Sequence, residues 1–170
     1  MDITLPFLSW LSVLVVAGAL IAAAISDFRS LTIPNWCPVT VAAFYAPFAY
    51  TLDIPATGHA LHYGLGALIY LIGLGLTSRG VIGGGDVKLL AATAIWTGPG
   101  MILQFLLSVA VVGGVIALIA VCARTTLLKK PRGWEPWWLS PTAGSNAGIP
   151  YGMAISVVGL VLIGQIPGLK

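Results

Sequence analysis

Charge is what this sequence has least of. Eight Lys or Arg and five Asp or Glu make up 8% of its 170 residues, where a soluble domain carries about 25%. With a mean hydropathy of +1.00, the chain cannot cover a water-facing surface. A soluble globular fold, a disordered chain and a nucleic-acid-binding domain are therefore excluded together. The net charge of +3 defines no basic binding face, because its contributors are sparse and scattered. Cysteine is equally scarce. Cys37 and Cys122 form no CxxC pair, so no zinc ribbon, redox motif or disulfide framework is expected. Both read as small apolar fillers.

What remains is apolar sequence in long runs. Ile3 to Ser26 is uncharged and exceeds the roughly 20 residues that cross a bilayer as a helix. Asp2 and the lack of a basic residue before it argue against a signal peptide. The run reads as a retained first helix (3–26), with Gly18 and Ala22 as a small-residue packing face. In Ile33-Pro34-Asn35, Pro34 pushes Ile33 out of helical geometry. Asn35 is placed to cap a second helix over 36–51, and Pro38 falls in its tolerant first turn. A third helix follows over 59–78, with Gly64, Gly66, Gly73 and Gly75 allowing close approach.

Leu89 to Ala123 is uncharged and too long for one ordinary span. Thr97-Gly98-Pro99-Gly100 inside it reads as a turn, which divides the run into a short helix at 86–96 and a longer one at 101–123. A last helix covers 149–166. The expected fold is all-α, one membrane-embedded domain over 1–170 with six transmembrane helices. Charge counting favours that division. With six spans, Arg29, Arg79, Lys88, Arg124, Lys129, Lys130 and Arg132 share one side and only Lys170 stands opposite. With five spans, the eight basic residues divide evenly. The positive-inside rule prefers the first arrangement. Both termini then lie outside and three loops face the cytoplasm. Trp134, Trp137 and Trp138 suit an aromatic belt at that interface.

On this topology Asp27, Asp86 and Glu135 lie on the inner side. Asp27 ends the first helix, and Asp86 follows Gly83-Gly84-Gly85 at the start of the fourth. Each has a plain reading: Asp86 as an N-cap, Asp27 as a span end paired with Arg29, and the glycines as a flexible turn. Their common depth favours another. Ionisable groups within membranes are costly and mostly functional. The short fourth helix rises only about 16 Å, about half the bilayer core, so its glycine-rich start dips toward a wet cavity. Two carboxylates meeting there share a proton. The ionised one takes a proton from water while the protonated one polarises a peptide carbonyl, as in aspartic proteases. The glycines let an extended substrate backbone approach Asp86.

Rival sets are poorer. His59 and His62 stand at the outer end of the third helix with no third ligand and no HExxH motif. They read as interfacial polar residues, and no metal is expected. Cys37, Cys122 and the inner serines thus lack a histidine base, and there is no GxSxG elbow. The segment from Gly83 to Lys88 lacks the Lys-Ser/Thr ending of a P-loop, so no nucleotide is expected.

Asp27 with Ile33-Pro34-Asn35, then Gly83-Gly84-Gly85-Asp86-Val87-Lys88-Leu89, then Ile149-Pro150-Tyr151-Gly152 together resemble the type IV prepilin peptidase family. Gly83, Gly85 and Asp86 match its GxGD signature. The resemblance implies a membrane aspartic endopeptidase without cofactors, with Asp27 and Asp86 catalytic at the cytoplasmic face. It implies removal of the basic leader of pilin-like precursors, with the bilayer and a pilus assembly machinery as further partners. Lys88 and Arg29 would tune the dyad or hold the loop, and Pro150 and Tyr151 would shape the start of the last helix. Glu135 could contact a leader or be an ordinary solvated charge. The bifunctional members' N-terminal domain with paired CxxC motifs has no counterpart, so no methyltransferase or zinc domain is expected. The chain looks like the short CpaA/TadV-like form of Flp, tight-adherence pilus systems. Archaeal-type preflagellin peptidases and broader GxGD intramembrane proteases share the pattern. A small proton-coupled transporter or assembly scaffold is the non-enzymatic alternative.

Overall fold

The computed structural model describes residues 4–122 and 149–166. Five helices make up the regular structure there: α1 (Thr4–Ser30), α2 (Trp36–Thr51), α3 (Ala56–Thr77), α4 (Gly84–Cys122) and α5 (Tyr151–Ile163). Leu5–Ser30, Ala56–Thr77 and Gly84–Cys122 are long and apolar enough to cross a membrane. At 16 and 13 residues, α2 and α5 are shorter. The bounds of α2 are the expected ones. The last helix begins two residues later than expected because Pro150 adopts φ −71, ψ 75 ahead of it. Trp134, Glu135, Trp137 and Trp138, with the basic residues from Arg124 to Arg132, lie outside the described residues.

The expected loop at 97–100 is instead a single-residue break. Only Gly98 leaves helical geometry, at φ 60, ψ −177. Glycine adopts that backbone without a Cβ penalty, and Pro99 has its φ already set for a first helical turn. The helix therefore restarts at once, and α4 is one bent element with halves at 84–97 and 99–122.

The break is stitched to its neighbours. Pro99 has no N–H, so the Ile95 carbonyl loses its helical donor. The His62 Nδ1–H of α3 fills that place at 2.7 Å. The His62 ring stacks on Tyr45 of α2, with centroids 4.9 Å apart, and packs so closely on Gly98 that a Cβ there has no room. Trp96 Nε1 donates to the Val41 carbonyl at 2.7 Å. His62, expected to be an interfacial polar residue, is thus a half-buried structural donor, because the proline turn created an acceptor beside it.

The first half of α4 is the axis of the fold. Helices α2, α3 and α5 pack on α4, while α1 packs on α2 and α5. Residues 91–98 are all buried. Small side chains make this possible, as at helix interfaces in membranes. Gly66 lies against Ala91 and Ile95, Gly73 against Val87, and Gly159 of α5 against Thr93. The expected roles of Gly18, Gly64 and Gly75 do not hold, for nothing lies within 4 Å of where their Cβ atoms would be. Gly64 and Gly75 turn to a different face of α3 from Gly66 and Gly73.

Candidate active site

Asp27 stands in the last turns of α1 and is buried at 3% exposure. Its Oδ2 accepts the Met153 backbone N–H at 3.1 Å. The first N–H groups of a helix have no partner within it, so Asp27 satisfies a donor at the start of α5. Gly152 allows this approach, since a Cβ there would fall 2.8 Å from Asp27 Oδ2 and 2.6 Å from Ile33 Cδ1.

Asp86 is half-buried in the first turn of α4. The glycines before it act through space rather than through unusual backbone. The described positive-φ glycines are Gly80 and Gly98, so Gly83 and Gly85 need no left-handed conformation. A Cβ on Gly83 would sit 2.8 Å from Asp86 Oδ2, and one on Gly85 would press on Ile33 Cβ at 3.2 Å. Gly84 is exposed and meets only Thr77, at 3.7 Å.

Both carboxyl groups open on one cavity of about 790 Å³, lined also by Gly83, Leu106, Val109 and Tyr151. The Tyr151 ring packs on Gly113 in the second half of α4, and Pro150 is buried behind it. Three segments far apart in sequence thus converge: the end of α1, the start of α4 and the start of α5. Two carboxyl groups on one cavity are what this arrangement offers chemically.

The supporting residues divide. Asn35 does not cap α2; it is helical itself, at φ −61, ψ −24, with no side-chain cap bond. Its Oδ1 instead accepts from Lys88 Nζ at 2.8 Å, which removes the acceptor a cap needs. Lys88 and Asn35 line a second cleft, on another side of α4 from the carboxyl cavity. Arg29 is exposed in the last turn of α1. Ile33, Gly152 and the Met153 amide were not singled out as site residues. The signal was there: Ile33 and Gly152 both belong to motifs read for their prolines, and Ile33 touches the positions where Gly85 and Gly152 dispense with Cβ atoms.

Fold and site define an apolar, all-helical membrane protein with two carboxyl groups facing one cavity. Residues 14–118 match the type IV leader peptidase family. The chain belongs to this family, and so is a membrane peptidase, a hydrolase whose substrates are in general pilin precursors. No curated protein and no solved structure matches it significantly.

Proposed function

We propose that the protein is an aspartic prepilin peptidase in which Asp27 and Asp86 activate water to remove the leader of a pilin precursor. The observation that carries the reading is the shared cavity, onto which both carboxyl groups open. In the reaction, the ionised carboxylate takes a proton from water as its oxygen attacks the scissile carbonyl carbon. The protonated partner donates to the carbonyl oxygen. Collapse of the tetrahedral species breaks the C–N bond, and a dyad proton passes to the departing nitrogen. Leader and mature chain leave as a new carboxyl and a new amine. Fixing Asp27 by the Met153 amide keeps one carboxyl in register while the substrate settles, which is how pre-organisation lowers a barrier.

The wider reading is of one membrane-embedded domain crossing a bacterial inner membrane six times. The two halves of α4 count as separate spans, both termini lie outside, and the site lies at the cytoplasmic face. Support comes from the seven-to-one division of basic residues. A Flp-type pilin precursor is the preferred substrate on this reading.

The test is cleavage in proteoliposomes. Wild type should shorten a Flp-type pilin precursor and leave an unrelated single-span protein intact. Asp27→Asn and Asp86→Asn should each reduce cleavage to background with unchanged circular dichroism, because an amide neither accepts the proton from water nor carries the negative charge. Cleavage at the wild-type rate by either variant would overturn the dyad. Cutting of the control within its span would point to a broader intramembrane protease.

A further inference from the structure

The second cleft lies apart from the carboxyl cavity. It holds about 470 Å³ between α2 and α3, is floored by α4, and shares no lining residue with the first. Its walls are mostly apolar or small, Val39 and Ala42 of α2, Gly66 and Ala67 of α3 and Ala91 of α4, with the Tyr63 hydroxyl tied to the Ala42 carbonyl and Tyr70 beside it. One end differs. There Lys88 and Asn35 join in a hydrogen bond of 2.8 Å, and Lys88 is the only charged residue of the lining. The ammonium has three donors, of which Asn35 Oδ1 takes one. With its oxygen turned to Lys88, the Asn35 amide keeps its own N–H donors, so the pair presents a cation and further donors together.

A mostly apolar crevice ending in a cation and an amide matches one chemistry, an acyl chain attached to an anionic headgroup. We propose that this cleft is a binding site for an anionic phospholipid, its phosphate on Lys88 and Asn35 and one acyl chain along α2 and α3. Basic pockets between membrane helices hold such headgroups, and charge-assisted hydrogen bonds to phosphate are the strong kind. The apolar segment of the substrate is the rival occupant. It is disfavoured because a precursor must present its backbone to Asp27 and Asp86, which open on the other cavity. The proposal rests on the membrane setting of the chain and stands whether or not the carboxyl dyad cleaves.

Full-length protein should be reconstituted in nanodiscs of phosphatidylcholine doped with phosphatidylglycerol of the same acyl chains, and the retained lipids weighed by native mass spectrometry. Wild type should retain phosphatidylglycerol about fivefold over phosphatidylcholine, whose choline cancels the net headgroup charge, the scale of one basic residue's attraction for an anionic lipid. Lys88→Gln should erase the preference and Lys88→Arg keep it. Ala67→Trp, which fills the crevice from an exposed position, should lower retention of both lipids while Lys88 stays in place. Equal retention of the two lipids, or a preference surviving Lys88→Gln, would overturn the proposal. So would displacement of the lipid by inorganic phosphate alone, which would mean an anion site without a chain. Photo-crosslinking from position 67 to the apolar segment of a pilin precursor, instead of to lipid, would give the cleft to the substrate.

Discussion

The two halves of α4 are both largely apolar and opposite in surroundings. Residues 91–98 are buried without exception, and Ala91, Ala92, Thr93 and Ala94 are all small. Beyond the break, Leu103, Leu107, Val111, Val115 and Leu118 are exposed along one face, while Phe105 and Gly113 turn inward. Apolarity does not separate these environments, since lipid tails and a protein interior are equally oily. Size does. Where the neighbour is another helix backbone, side chains shrink so that Gly66, Gly73 and Gly159 can approach. Where the neighbour is lipid, large aliphatic chains are tolerated at every turn. The half that carries Asp86 is consequently the tightly held one, and the other half is a wall whose inner side closes the carboxyl cavity.

The comparison breaks most sharply at the joint. Gly98→Val puts a β-branched residue at φ 60, a conformation costing about 1–3 kcal/mol outside glycine. It also forces a side chain into the His62 ring, at a further cost of about 1–3 kcal/mol for overpacking. Thermal unfolding in detergent should show a loss of roughly 4 kcal/mol, the sum of the middle of those ranges. Wild-type stability would mean that the halves are not held in this register.

His62→Ala tests the same joint more gently. It leaves the Ile95 carbonyl without the Nδ1–H donor now 2.7 Å away, and an unpaired buried acceptor costs about 1–3 kcal/mol. The stacking on Tyr45 is lost as well. His59→Ala is the control, because His59 meets Tyr45 only edge-on, at a centroid distance of 6.0 Å. Equal losses from the two variants would remove the stitch from the account of the break.

Much of this was legible in the residues, and the failures have a common form. The all-helical class, the bounds of α2 and the position of the bend all follow from local rules, since uncharged runs, Pro34 and Gly98-Pro99 act on their own neighbours. Asp27 and Asp86 stood out because carboxylates are rare in this chain. Partnerships across the fold did not show. Asn35 has the chemistry of a cap, and only the arrival of Lys88, from another helix, reassigns its oxygen. His62 reads as an interface residue until Pro99 leaves a carbonyl beside it. Gly83 and Gly85 read as flexibility, whereas their φ values are ordinary and their smallness makes room for Asp86 and Ile33. Five helices replace six among the described residues because a glycine and a proline need no loop between them.

The smallest effect is expected where the sequence is most apolar. Leu107 lies in the second half of α4 and is exposed. In a water-soluble core, Leu→Ala would cost about 2–5 kcal/mol, from lost transfer energy and the cavity left behind. Neither contribution applies on a lipid-facing surface. The leucine is in hydrocarbon whether or not the helices are associated, and acyl chains close any gap that it leaves. Leu107→Ala in bilayer nanodiscs should therefore change stability by no more than about 0.5 kcal/mol, as for ordinary surface positions. A loss on the core scale would mean that this face is covered by protein, and the contrast between the two halves of α4 would then be one of partner rather than of solvent.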